Sequence, residues 1–119
     1  MARHNKIGEM AENLAADYIL RKGYRLLERN WRFSRAEVDL IAMDNEILVF
    51  LEVKSLGNNA INKPEASVTP YKQSLIMDAA SQYMVKVNHD WEVRFDVIAI
   101  VLNEGELIDL KHFEDAFFR

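Results

Sequence analysis

The chain has 119 residues, of which 50% are hydrophobic and 29% are charged, and a formal net charge of −4. This length and composition predict a single domain over residues 1–119 and exclude a disordered chain. The absence of cysteine excludes a disulfide framework, a thiolate zinc site and a cysteine nucleophile. The longest apolar run, residues 97–102, is far shorter than the ~20 residues that span a bilayer, and residues 1–10 lack the pattern of a signal peptide. We therefore expect a soluble, cytoplasmic protein without a membrane partner.

The spacing of apolar residues predicts one helix and three strands in the first half of the chain. Apolar side chains recur at helical spacing over residues 8–22, and Gly23 after two basic residues is typical of a helix end. Residues 24–31 have the composition of a strand. Residues 36–43 alternate like a strand with two distinct faces, and residues 46–54 form a nearly continuous apolar strand.

The second half is predicted to contain a loop, a helix and two strands. Turn-forming residues predict a loop over residues 55–67. Thr69 is expected to cap a helix over residues 70–86, which has a proline at its first position. Residues 92–102 predict a buried strand, residues 105–110 a short edge strand, and the phenylalanines of the tail are expected to seal the core. The order helix, three strands, helix, strand predicts an α/β fold with a mixed β-sheet flanked by helices.

The net charge is unevenly distributed along the chain. Taken alone, the negative total argues against a nucleic-acid partner. Residues 1–35, however, contain eight Lys or Arg and four acids, a net charge of +4, which leaves −8 on residues 36–119. Six of the eight basic residues lie between Arg21 and Arg35. This stretch is either a solvated face or a phosphate-binding edge, and the second interpretation requires an acidic, metal-binding site beside it.

Three carboxylates are predicted to converge on the hairpin of the second and third strands. A symmetric turn at Asp44–Asn45 places Glu37 opposite Glu52, with Asp39 on the same face and Lys54 two residues beyond Glu52. Clustered carboxylates repel one another unless a cation lies between them, and hard oxygen ligands suit Mg²⁺ or Mn²⁺. The pattern therefore predicts either a metal site for phosphodiester hydrolysis, with the lysine stabilising charge or orienting water, or rim carboxylates neutralised by nearby cations.

Motifs along most of the chain resemble a known family. AEVDLIA at residues 36–42 and VFLEVK at residues 49–54 resemble the Asp and Glu-x-Lys signature of restriction-endonuclease-like nucleases. Further stretches follow in the order of the YraN-like family of small bacterial proteins, distant relatives of archaeal Holliday-junction resolvases. They are AENLAADYI (11–19), GYRLL (23–27), NWR (30–32), YK (71–72) and RFDV (94–97).

The resemblance implies a restriction-endonuclease-like core and a nuclease that hydrolyses phosphodiester bonds of DNA with Mg²⁺ or Mn²⁺. Carried over residue by residue, it implies that Asp39 and Glu52 hold the metal and that Glu12 of the first helix approaches it. It makes Lys54 the catalytic lysine and Glu37 a secondary ligand or an orienting group. The likeness to junction resolvases further implies branched DNA as a substrate and a homodimer.

Basic residues near the motifs are the candidates for DNA contact. Lys72, in the first turn of the second helix, matches a family lysine and could contact phosphate, although a solvated helix lysine is the alternative. The residues predicted to bind nucleic acid are Arg25, Arg29, Arg32, Arg35 and Lys72. Two other functions stay open: a nucleic-acid-binding module of the same fold without turnover, and a protein-interaction scaffold.

The remaining chemically active side chains are interpreted as structural. His4, His89 and His112 are scattered in the sequence and are expected in surface or tail positions. Arg94 and Asp96 share a strand face and are expected to form a structural ion pair. Trp31 is expected in the core, although its ring could also stack on a base.

Overall fold

The computed structural model describes residues 6–56 and 68–117. In chain order, the elements are α1 (Lys6–Arg21), β1 (Arg25–Phe33), β2 (Ala36–Asp44), β3 (Ile47–Leu56), α2 (Pro70–Val87), β4 (Val93–Asn103) and β5 (Glu106–Phe113). All the predicted helices and strands are present, and the predicted α/β fold with helices flanking a mixed sheet is confirmed. Most of the predicted loop at residues 55–67 lies outside the described residues.

The five strands form one sheet in the order β1-β2-β3-β4-β5. Neighbouring strands are antiparallel except for β3 and β4, which are parallel. Parallel neighbours need a long crossover connection, and α2 belongs to that connection. No helix among residues 6–56 and 68–117 has the length and apolarity needed to cross a membrane.

The two helices cover opposite faces of the sheet. On one face, α1 packs Ala15 and Ile19 into a core that the central strands supply. On the other face, α2 packs Ile76 and Tyr83 into a second core that includes the ring of Phe50. Because β3 and β4 are covered on both faces, they are apolar in continuous runs and do not alternate. Each fully buried aliphatic or aromatic side chain of this kind stabilises the fold by about 1.5–3 kcal/mol.

The start of α2 has the predicted cap. The Thr69 hydroxyl accepts a hydrogen bond of 3.1 Å from the backbone N–H of Lys72, and Pro70 follows the cap residue. Such a cap satisfies an N–H group that the first helical turn leaves unpaired. The cap therefore stabilises the first turn of α2, which includes Lys72.

The turn between β2 and β3 differs from the predicted one. The turn is at residues 45–46, so that Asp44 pairs with Ile47, because Asn45 takes a left-handed φ of 55° that asparagine tolerates better than most residues. The register is displaced by two positions from the prediction. A slip of two leaves regularly paired side chains on the same face, but it changes their partners, so that the register brings Asp39, not Glu37, opposite Glu52.

Aromatic and histidine side chains are more deeply placed than expected. Phe117 is buried in the core on the α2 side and Phe113 packs against it, as predicted for the tail. Trp31 packs there as well, with its ring centroid 5.1 Å from that of Tyr83, which confirms the core interpretation. The prediction of a surface position is wrong for His89, which is only 6% exposed. Its ring forms a hydrogen bond with a backbone carbonyl.

The predicted Arg94–Asp96 ion pair belongs to a larger buried network. Arg94 Nε lies 2.9 Å from Oδ1 of Asp96, and the guanidinium also donates to Asp44 and to the Tyr24 hydroxyl. His112 is buried against the other oxygen, with Nε2 2.7 Å from Asp96 Oδ2, so its expected surface position is wrong too. Burial alone would raise the pKa of Asp96, but the hydrogen bonds from His112 and Arg94 lower it.

Candidate active site

Asp39 lies where β2 and β3 separate. Among the described residues, the pairing of the two strands runs from their turn to Leu40 and Leu51 and ends there. Beyond that point the Val53 N–H donates a hydrogen bond of 2.8 Å to Oδ2 of Asp39. Because an unpaired backbone N–H is costly to bury, this bond takes the place of a strand-to-strand bond and holds the Asp39 carboxylate against β3.

Strand β2 changes faces at Asp39. Residues two positions apart normally share a face of a sheet, yet Val38 packs in the core under α2 and Leu40 in the core under α1. Strand β1 is irregular at the matching position, because Asn30, between the partners of Val38 and Leu40, has a φ of 51°. The two irregularities place Asp39 between the helical layers, where side chains from both can influence it.

Glu52 is the most unusual side chain of the site. It follows the buried end of the β2–β3 pairing, its side chain is only 2% exposed, and Lys72 Nζ lies 3.1 Å from Oε1. The second oxygen, Oε2, is buried without a hydrogen-bond partner among residues 6–56 and 68–117. Buried carboxylate oxygens nearly always have partners, so this oxygen marks a place where a ligand would lower the free energy.

The two carboxylates repel each other. Burial and the nearby charge of Glu52 raise the pKa of Asp39 well above its usual value. Burial also raises the pKa of Glu52, although the ammonium of Lys72 opposes the rise. A divalent cation between them would reverse both effects, because it favours the charged forms.

Two lysines flank the carboxylates. Burial, followed by the positive charge of Lys72, lowers the pKa of Lys54. Burial alone would lower the pKa of Lys72 as well, but the charge of Glu52 and the hydrogen bond to it raise that pKa. The structure thus brings Asp39, Glu52 and Lys54 together as predicted, and it adds Lys72 to the same group.

Glu12 is not gathered with Asp39 and Glu52. Its Oε1 accepts a hydrogen bond of 2.9 Å from Asn30 and lies 3.9 Å from the guanidinium of Arg29. The described ranges contain no group of three or more His, Asp or Glu that could hold a metal ion. Glu12 belongs to α1, which covers the face of the sheet opposite to α2, so the structure does not bring it together with Glu52, and its role as a metal ligand stays a prediction. Its charge still contributes to the raised pKa of Asp39.

A groove connects the site with solvent. Its volume is about 340 Å³, and its lining includes Arg35, Glu37, Asp39, Tyr71 and Lys72, above the apolar side chains at the start of α2. The predicted residue Glu37 therefore faces the groove, with Oε1 3.5 Å from the Arg32 guanidinium. Sequence reasoning missed Tyr71 as a site residue, although its position directly before Lys72 in a first helical turn is a usable signal.

The predicted basic residues separate into three groups. Arg35 lines the groove and Arg32 pairs with Glu37 beside it. Arg29 is committed to α1, where it donates a hydrogen bond of 2.8 Å to Asn13. Arg25 pairs with Met43 near the opposite end of β2, so the structure does not bring it to the groove.

The residues of the site fit a cation held by two carboxylates. Glu52 presents an unpartnered buried oxygen, and Asp39 is close enough for the charge of Glu52 to raise its pKa. Magnesium is commonly bound through one or two carboxylates, with waters and substrate phosphates as the other ligands. Asp39, which lines the groove, and the buried Glu52 beside it match this pattern, and the described site contains no soft ligand that would favour zinc.

The fold and the site define a small α/β domain with paired acidic side chains between two lysines. The chain belongs to the UPF0102 family, the YraN-like family that its motifs resemble: the sequence profile described as "Uncharacterised protein family UPF0102" matches residues 11–100. A UPF0102 protein of Flavobacterium psychrophilum is 41% identical over 118 residues, which is 99% of this chain and 98% of the relative. A UPF0102 protein of Thermodesulfovibrio yellowstonii is 41% identical over 113 residues, covering 95% and 96% of the two chains.

Among solved structures, the chain is similar to Pyrococcus furiosus SfsA in complex with Ca²⁺. The TM-score is 0.32 and the sequence identity 12%, and the match covers 91% of this chain and 62% of that one.

Proposed function

We propose that the protein is a metal-dependent nuclease that hydrolyses phosphodiester bonds of DNA in the cytoplasm. The observation that carries the proposal is the buried, unpartnered oxygen of Glu52 beside Asp39, since Asp39 lines a groove that also has basic residues in its lining. Burying a carboxylate oxygen without a hydrogen-bond partner destabilises a fold, and a ligand that binds this oxygen would remove the penalty. A cation that also binds a phosphate is such a ligand.

Asp39 and Glu52 would hold Mg²⁺ or Mn²⁺. When bound, such an ion polarises the phosphate and makes bound water more acidic. The Val53 N–H keeps the Asp39 carboxylate in position against β3. A metal ion would compete with Lys72 for the Glu52 carboxylate, because the Lys72 ammonium already lies 3.1 Å from Oε1.

Lys54 is the residue suited to act on the attacking water or on the negative charge that develops at phosphorus. Burial and the charge of Lys72 lower its pKa, which brings it nearer to the range where a lysine exchanges protons. In the hydrolysis, the water oxygen bonds to phosphorus, the bond to the leaving oxygen breaks, and that oxygen takes up a proton. Lys72 and Arg35 would hold the flanking phosphates, and Glu37 would orient Arg32.

The test is cleavage of linear and branched DNA with Mg²⁺ or Mn²⁺ by the wild type and by Asp39→Asn, Glu52→Gln and Lys54→Met. We expect metal-dependent cleavage that falls at least 100-fold in each variant, since each removes a group acting directly at the reacting phosphate. The exposed β5 residues Glu106 and Lys111 provide matched controls, as Glu106→Gln and Lys111→Met. Cleavage that survives all three site substitutions would show that the activity comes from another protein.

One observation favours a second candidate function. The Lys72 ammonium already neutralises part of the charge on Glu52, as it would in a nucleic-acid-binding module that holds DNA without cutting it. DNA binding at low salt without metal-dependent cleavage would select this candidate. Absence of both binding and cleavage would leave the protein-interaction scaffold.

A further inference from the structure

We propose that Tyr71 is a stacking platform for an unpaired nucleobase, so that the groove takes single-stranded segments in preference to continuous duplex. The inference rests on the proposed function and names the substrate class of the same site. It depends on contacts that form before any bond is broken, and binding measurements can therefore test it separately.

The exposed ring of Tyr71 does not contribute to the packing of the core. The side chain is 62% exposed, although tyrosines of this fold such as Tyr24 and Tyr83 are buried. Its ring lines the same groove as Asp39 and Lys72. An exposed aromatic ring beside a basic side chain is the arrangement that single-strand-binding proteins use to stack successive bases.

The ring is held on a rigid element. Tyr71 is the second residue of α2, directly after Pro70, and its carbonyl accepts a hydrogen bond of 2.7 Å from the Ser74 hydroxyl. The Thr69 cap fixes the same turn from the other side. A tyrosine so placed has few torsion angles left to order on binding, so stacking on it costs little conformational entropy.

Because the groove carries charges of both signs, tight binding of nucleic acid needs a contact that does not depend on charge. Its lining contains the cations Arg35 and Lys72 but also the acids Glu37 and Asp39, and Lys72 is already paired with Glu52. Phosphate contacts alone would therefore supply weak binding. Stacking on an aromatic ring adds affinity that depends on neither net charge nor base identity.

Stacking on Tyr71 requires a base whose face is free. In continuous duplex both faces of each base are covered by neighbouring pairs, and only single strands, overhangs and unpaired junction nucleotides offer an open face. The ring therefore discriminates by the pairing state of the nucleic acid. The base that stacks on it would adjoin the phosphate that a cation at Asp39 and Glu52 would hold.

The experiment is fluorescence anisotropy of a labelled poly-dT strand and of a blunt duplex of equal length, at low salt and without divalent metal. We expect Tyr71→Ala to weaken binding of the single strand by about 5- to 150-fold and to leave duplex binding within about twofold. Tyr71→Phe should retain the single-strand affinity, whereas Tyr71→Leu, which keeps bulk without an aromatic face, should resemble the alanine variant.

Trp91 offers a matched control, since it is 54% exposed and lies outside the groove lining. Trp91→Ala should leave both affinities unchanged. Equal losses in Tyr71→Ala and Trp91→Ala, or a loss in Tyr71→Ala that is the same for single strand and duplex, would overturn the stacking role while leaving metal-dependent cleavage intact. Binding of neither nucleic acid by the wild type would overturn this inference, whereas the proposed function is tested separately by metal-dependent cleavage.

Discussion

Lys72 Nζ lies 3.1 Å from Oε1 of Glu52, a carboxylate that is only 2% exposed. The ammonium comes from α2 and the carboxylate from β3, so this ion pair joins a helix to the sheet at the site itself. Lys72 holds the position of a counter-ion for the acidic pair. A metal ion bound at Asp39 and Glu52 would compete with it, which makes Lys72 the best place to measure metal binding.

Substitution of Lys72 by Met should separate stability from metal affinity. Without metal, Lys72→Met should lower the free energy of unfolding by about 1–2 kcal/mol, because the buried Glu52 charge loses its partner and the lysine is partly exposed. With Mn²⁺ the variant should regain stability and show a larger rise in Tm than the wild type. Thermal denaturation with and without Mn²⁺ measures both effects, and Lys111→Met is the control. An unchanged Tm without metal together with an equal Mn²⁺ shift would contradict the prediction.

Asp39→Asn should alter the pH dependence of stability. Burial and the charge of Glu52 raise the pKa of Asp39, so the folded state binds its proton more tightly than the unfolded state does. The resulting penalty is absent below the unfolded pKa and fully present above the folded one, and stability therefore falls as pH rises through that interval. Asparagine can still accept the Val53 N–H bond but does not titrate. Urea denaturation between pH 4 and pH 8 should show a smaller decline for Asp39→Asn than for the wild type, and parallel curves would refute the assignment.

The Asp96 network should behave in the opposite way. Hydrogen bonds from His112 and Arg94 outweigh burial and lower the pKa of Asp96, so its stabilisation is present above its ordinary pKa and lost as pH falls through the folded value. Asp96→Asn should destabilise the protein by about 3–5 kcal/mol at neutral pH, because Arg94 and His112 both lose the buried carboxylate that they share. Asp44 remains close to Arg94. Asp78→Asn, on the exposed face of α2, should change stability by less than about 0.5 kcal/mol. Similar denaturation midpoints for Asp96→Asn and the wild type would show that the network contributes little.

Two arginines of the basic stretch should differ in DNA binding. Arg35 lines the groove, whereas Arg25 lies beside Met43 near the other end of β2. Arg35→Gln should weaken binding and reduce the slope of log Kd against log salt by about 1, while Arg25→Gln should leave the slope unchanged. A salt titration of DNA affinity for the two variants measures the difference. Equal slopes would mean that the groove is not the path of the phosphates.

The elements of the fold were predictable because their signals are local. Apolar spacing placed the first helix, the Thr69 cap and Pro70 placed the second, and the continuous apolar runs of β3 and β4 followed from coverage on both faces. The register of the β2–β3 hairpin was not predictable, because Asp44–Asn45 and the observed turn at residues 45–46 have similar turn-forming residues. The observed register differs from the predicted one by two positions. Because this number is even, Asp39 and Glu52 still lie close to each other.

The parts of the site that sequence reasoning missed are long-range. The contact of Lys72 with Glu52 depends on how α2 returns over the sheet, which no local pattern specifies. The contacts of Glu12 with Asn30 and Arg29 also join α1 to β1, and the family motif that Glu12 matches does not specify them. The burial of His112 likewise depends on its pairing with Asp96 across two strands, which neither residue signals alone.

The number of residues in β1 matters for both helices. On either side of the sheet this strand anchors a different helix: Glu28 accepts a hydrogen bond of 3.4 Å from the Tyr83 hydroxyl of α2, and Arg29 donates to Asn13 of α1. Deleting one residue between Trp31 and Phe33, next to the β1–β2 turn, would exchange the faces to which Glu28 and Arg29 point. Both helices would lose their anchors at once, so this strand should accept substitutions far more readily than any change in the number of its residues.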